Sequence, residues 1–125
     1  MDEPRKIDRK LERKTLISFT PVYDTRRNSL LGYLRDLTVQ GAMLSGIKRM
    51  EPGQIVTLAV DFRETPEIPA TRITLPTRVA WCRREPASTD YVTGVEFLEL
   101  TDLNKMVILA ILERYQFRPE PAQDQ

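Results

Sequence analysis

Arg9 and Arg13 stand four residues apart near the N-terminus, and Asp36, Thr38 and Gly41 share the short run Asp36-Leu37-Thr38-Val39-Gln40-Gly41. Residues four apart lie on one side of the chain whether it is helical or extended, so both guanidinium groups can face one ligand. A guanidinium offers planar paired donors to phosphate oxygens or to the O6/N7 edge of guanine, and its face stacks on a base; lysine offers only a point charge. Asp36 and Thr38 are two apart, so at the end of an extended strand their side chains share a face. There the carboxylate can accept from the guanine N1 and N2 donors and the hydroxyl adds a second polar group. Gly41 permits a positive φ and a close approach of a bulky ligand to the backbone. Cations for phosphate, an acceptor for a base edge and a bend that makes room are together suited to a guanine nucleotide.

Each of these residues also has an ordinary structural explanation. An RxxxR in a charged terminus is commonly a solvated arm, and Asp36 and Thr38 are suited to an Asx or ST turn with Gly41 required by the backbone. Trp81 and Phe97 read as core residues and Cys82 as a small buried hydrophobe. Arg26 and Arg27 in a turn, and Arg83 and Arg84 at a strand end, read as exposed charge. Gly94 either lies near the ligand or relieves crowding inside the fold.

Other chemistries find little support. The chain has no histidine and one cysteine, Cys82, so neither a disulfide nor a Cys/His metal site is expected, and no base stands beside the thiol in sequence. The carboxylates are scattered, and no glycine-rich phosphate loop is present. An enzyme is therefore not expected, nor a cofactor. Nineteen Lys plus Arg against eighteen Asp plus Glu leave a net charge of +1, too little to draw the chain onto nucleic acid polymer or an anionic membrane. No stretch approaches the roughly 20 apolar residues of a membrane span, and the charged N-terminus lacks a secretory core. A cytoplasmic protein is expected.

The elements that must position these residues read as short strands. Leu16–Tyr23 and Leu30–Leu37 form a hairpin around the turn cluster 24–29; Gly41 interrupts before Ala42–Ser45; Glu51-Pro52-Gly53 leads into Gln54–Phe62. In that strand Val56, Leu58, Val60 and Phe62 face one side, and Ile55, Thr57, Ala59 and Asp61 the other. A proline-bearing loop, 63–71, precedes Arg72–Arg84, where Pro76 marks a bulge or an edge. Ile73, Leu75, Val79 and Trp81 are expected to point inward there. Tyr91–Leu98 is the last strand. The period then changes to about 3.6, with Leu103, Met106, Val107, Ala110, Ile111 and Tyr115 as the expected buried stripe of a helix capped by Thr101 or Asp102. Residues 1–15 read as a flexible basic arm, 16–117 as one barrel with its closing helix, and 118–125 as a mobile tail. The pattern is all-β with a C-terminal helix, best met by a small antiparallel barrel.

RxxxR, a strand, then D/N-x-S-x-x-G resembles the signature of the PilZ domains, a family of cyclic di-GMP receptors. Val79-Ala80-Trp81-Cys82-Arg83 is similar to the family's tryptophan-containing strand, and Gly94-Val95-Glu96-Phe97-Leu98 to its GVEF-type strand. The likeness runs from about Asp8 to Tyr115. It implies a six-stranded antiparallel PilZ-type β-barrel, with Arg9 and Arg13 clamping cyclic di-GMP and Asp36, Thr38 and Gly41 cradling its other side. Thr38 stands where the family usually has serine, which keeps the hydroxyl and adds a methyl and a stiffer χ1. One ligand or an intercalated pair are both left open. The expected function is cyclic di-GMP binding relayed to a protein effector as the arm orders. The alternative is a PilZ-like adaptor that binds only protein; a single-stranded nucleic acid barrel would want a basic groove with exposed aromatics.

Overall fold

Short polar reversals join neighbouring strands, and the sheet closes because its first strand finds the fourth. The computed structural model describes residues 20–64 and 69–116. β1 (Pro21–Asp24) turns into β2 (Ser29–Leu37), with Asp24 Oδ1 accepting from Arg26 N at 2.9 Å and Asn28 taking a φ of 53°. Asparagine is among the few residues at ease in that left-handed region. β3 (Gly41–Gly46), β4 (Ile55–Phe62), β5 (Thr71–Arg84), β6 (Tyr91–Phe97) and α1 (Asp102–Gln116) follow. The six strands of the described residues form a closed barrel in the order β1-β2-β3-β6-β5-β4, antiparallel throughout, with β4 pairing back to β1. Closure removes the unpaired edges that an open sheet would present. This is the all-β barrel with a C-terminal helix that the sequence implied. The expected arm at 1–15 and tail at 118–125 lie outside the described residues.

Period-two alternation builds the interior. Val56, Leu58, Val60 and Phe62 are all buried, as β4's pattern required, while Ile55 on the other face is 54% exposed. Ala59, on the same face as Ile55, is buried as well. Leu34, Leu37, Leu75 and Val22 complete the centre, each nearly sealed from solvent. Burying each such side chain contributes about 1.5–3 kcal/mol.

Two expectations for β5 are corrected. Pro76 is not in a bulge; it lies in register opposite Thr57, and its carbonyl accepts from Leu98 N at 2.9 Å. Its missing N–H therefore points past the end of β6 and breaks no bond to β4, since a strand residue's N–H and C=O point the same way. The irregularity of β5 falls between Val79 and Trp81 instead. An extra residue there reverses which face each later side chain takes. Trp81, expected inward, is only half-buried and faces outward; Cys82 turns in, packs against the core and accepts from Thr93 Oγ1 at 3.2 Å and Met50 N at 3.4 Å.

The helix begins where expected, with Thr101 Oγ1 accepting from Asn104 N at 3.1 Å as an N-cap. Its buried face differs from the expected stripe. Ile108, Ile111 and Leu112 join the core with Val107 packed beside them, whereas Leu103 is 69% and Met106 64% exposed. Asn104 Nδ2 donates to Thr74 O at 2.9 Å and sets the helix's rotation on the barrel. Apolar residues occur on several sides of α1, so periodicity alone leaves its facing ambiguous.

Candidate functional site

The β2–β3 reversal is held by Thr38. Its N–H donates to Gly41 O at 2.9 Å, and its hydroxyl oxygen accepts from Gln40 N at 3.1 Å and Gly41 N at 3.2 Å. The same hydroxyl lies 3.4 Å from Gly41 O as donor. This is the ST turn that the sequence allowed, and either serine or threonine could make it. Asp36 Oδ1 accepts from Leu37 N at 2.9 Å, and both the Asp36 and Thr38 side chains are exposed. Gln40 O accepts from Phe97 N at 2.9 Å and ties the turn to the end of β6.

Gly41 is needed for a different reason than expected. Its φ is not positive; instead a Cβ there would lie 2.2 Å from Val95 O of the neighbouring strand. The close approach that glycine permits is that of β6.

Beside this turn the barrel surface is concave. A groove of about 830 Å³ is lined by the turn from Asp36 to Gly41, by Trp81 and Gly94, and by the β6 exit through Glu96, Glu99 and Leu100. The Trp81 ring rests on Gly94, where a Cβ would fall 2.4 Å from its Nε1 and Cε2 atoms. Gly94 therefore relieves crowding outside the barrel rather than within it. Arg83 lies over the Trp81 ring with its guanidinium carbon 4.7 Å from the ring centre, a cation–π contact.

Charge in the groove is one-sided. The described residues that line it include the carboxylates of Asp36, Glu96 and Glu99 and no cation. Arg78 Nη1 reaches Glu96 Oε2 at 2.6 Å from outside the lining. Among the described residues no group of three metal-ligating side chains gathers.

The fold thus brings Asp36, Thr38 and Gly41 onto one groove; Arg9 and Arg13 lie outside the described residues. Sequence reasoning passed over Trp81, assigned to the core, and left Gly94 undecided. A glycine in the strand that pairs with a tryptophan is the signal that could have found both, because a ring laid across a neighbouring strand needs a residue without Cβ.

The family model of the PilZ domain matches residues 4–114, a span that includes both arginines and all of the described groove. Among solved structures, the Bacillus subtilis inhibitor of motility (MotI/DgrA) superposes with a TM-score of 0.66 at 16% identity. That alignment covers 78% of this chain and 46% of the other, so this chain spans about half of that protein's length and the likeness is one of fold. No curated protein sequence matches.

Proposed function

We propose, from the premise that this chain belongs to the PilZ domain family, that it binds cyclic di-GMP in the groove beside the Thr38 turn and relays occupancy to a protein partner. The family is one of cyclic di-GMP receptor domains, regulatory rather than catalytic. The observation that carries the reading is the pairing of the Asp36–Gly41 turn with the Trp81 ring on one concave surface. A base-edge acceptor and an aromatic face stand together there, and any base offers a π-face that can stack on such a ring.

The acidic lining sets what else the ligand needs. Two phosphodiesters would meet Asp36, Glu96 and Glu99, so their counter-charge must come from elsewhere in the chain. Arg9 and Arg13, within the matched span, are the proposed source, and Arg83 above Trp81 is a third cation within reach. In this reading the segment from Arg5 to Thr15 orders over the barrel when the nucleotide arrives, coupling binding to a changed surface that a partner reads. A soluble second messenger and an unpaired thiol at Cys82 suit the cytoplasm; among the described residues no helix is long and apolar enough to cross a membrane.

Calorimetric titration with cyclic di-GMP tests the proposal. Loss of a hydrogen bond to a charged group costs about 1.5–3 kcal/mol, so Arg9→Ala and Arg13→Ala should each weaken binding roughly ten- to more than a hundredfold. Unchanged affinity in both variants removes the arginines from the site. A protein-only adaptor is the second reading, favoured by the Thr38 hydroxyl, whose oxygen already takes two backbone N–H donors. No heat on titrating the wild type, with the fold intact, selects that reading.

A further inference from the structure

The end of the barrel away from the groove carries a second concavity of opposite charge. β2 runs from Ser29 to Leu37, so the β1–β2 turn lies at the other end of that strand from the Thr38 turn, about 25–30 Å away. Arg26 and Arg27 of the β1–β2 turn and Lys48 of the loop after β3 line a pocket of about 470 Å³ there. Asp24 is the single carboxylate in its lining, and one of its oxygens is already engaged by Arg26 N. Buried Leu31, Met50 and Val56 form its floor, and Ile55, 54% exposed, stands in its wall.

Three cations from two separate loops converge on this one pocket. Arg35, Arg49, Arg72 and Arg78 each hold a carboxylate, of Glu85, Glu51, Asp61 and Glu96 respectively. Among the described residues Arg26, Arg27 and Lys48 hold none. Like charges brought together from separate loops repel, and the arrangement becomes favourable when an anion joins them. A bare inorganic anion would use the cations and leave the apolar floor and Ile55 uncovered. A flat bilayer would meet the rim and leave the concavity unfilled.

We propose that this basic pocket docks an acidic peptide segment of a partner protein, with carboxylates on Arg26, Arg27 and Lys48 and an apolar side chain against Ile55 and the Leu31–Met50 floor. The segment's charge complements three cations, and its apolar side chain covers surface that water otherwise wets. The pocket is separate from the groove, so the proposal stands whether or not the groove takes a nucleotide.

The test is fluorescence anisotropy with a labelled Leu-Glu-Glu-Leu-Asp-Glu peptide and its Gln/Asn counterpart, using the full chain without nucleotide. The acidic peptide is expected to bind, to weaken steeply with added salt, and to outbind the neutral one. The double variant Arg26→Glu, Arg27→Glu should lower its affinity about tenfold or more, two exposed attractions having become repulsions. Lys48→Gln should lower it severalfold with the same thermal midpoint as wild type. Arg63→Glu, a charge reversal at the other end of the barrel, should leave it unchanged. Equal binding of the two peptides, or an equal loss with Arg63→Glu, overturns the proposal. So does a pocket whose reversal abolishes sedimentation with phosphatidylglycerol vesicles, or self-association, while peptide binding is absent. Cyclic di-GMP titration of the same Arg26→Glu, Arg27→Glu protein should be unaltered, which separates failure here from failure of the nucleotide site.

Discussion

Trp81 lies over Gly94 on the outer face of the barrel and shares a groove with Asp36 and Thr38, so its indole contributes more to that surface than to the core. If a guanine base stacks there, Trp81→Ala removes about 1–3 kcal/mol of binding, a loss of roughly five- to more than a hundredfold in affinity for cyclic di-GMP. Arg83 now occupies the space over the ring, but an exposed cation–π contact is worth only about 0.5–1 kcal/mol, so a base can displace it. Calorimetry read beside a thermal melt checks this: a large affinity loss with a small midpoint shift is expected, and unfolding without an affinity change would return Trp81 to a packing role.

At the scale of elements, the face of α1 is decided by three contacts and can be tested by substitution. Thr101 caps its N-terminus, Asn104 anchors its first turn to Thr74 of β5, and Ile108 is completely buried. Ile108→Ala should cost about 2–5 kcal/mol and Thr101→Ala about 1 kcal/mol in urea unfolding. Leu103→Ala and Met106→Ala should stay within about 0.5 kcal/mol, because both side chains are already largely in water. A large cost at Leu103 would mean the helix packs on its other side.

Across the whole molecule, the barrel is laced by ion pairs between strands, and two of them make its stability respond to acid. Arg72 bonds Asp61 from β5 to β4, at 2.5 and 3.0 Å, and Arg35 of β2 bonds Glu85 beyond β5 at 2.6 Å. The hydrogen bond from Arg72 holds the Asp61 carboxyl below the usual aspartate range, and that from Arg35 does the same for Glu85. A carboxylate whose value is depressed on folding contributes stability that is fully present above its unfolded value and is lost as pH falls through the lower folded value. Both carboxylates are about a third exposed, so the contribution is small and weakens further with salt. Carbon-detected titration should find Glu85 below the ordinary glutamate range in the wild type and back within it in Arg35→Ala. An unchanged Glu85 titration would mean that the pair does not persist in solution.

What the sequence determined alone is what short-range chemistry controls. Alternating Val56, Leu58, Val60 and Phe62 could only be a half-buried strand, the Asp24–Ser29 cluster could only reverse the chain, and Thr101 was positioned to cap a helix; each rests on the pleat, the turn or one local hydrogen bond. The Thr38 turn was legible for the same reason, and with it the Asp36–Gly41 half of the candidate site. Tertiary structure alone decided where Trp81 points, which face α1 buries, why Gly41 has no side chain and that Arg26, Arg27 and Lys48 meet in one pocket. Each of these depends on a neighbour distant in sequence: β6 across the bulge, the barrel wall under the helix, or two loops folded to one end. A bulge reverses a strand's faces without leaving a residue pattern of its own, so such phases are settled only when the partner strand is in place.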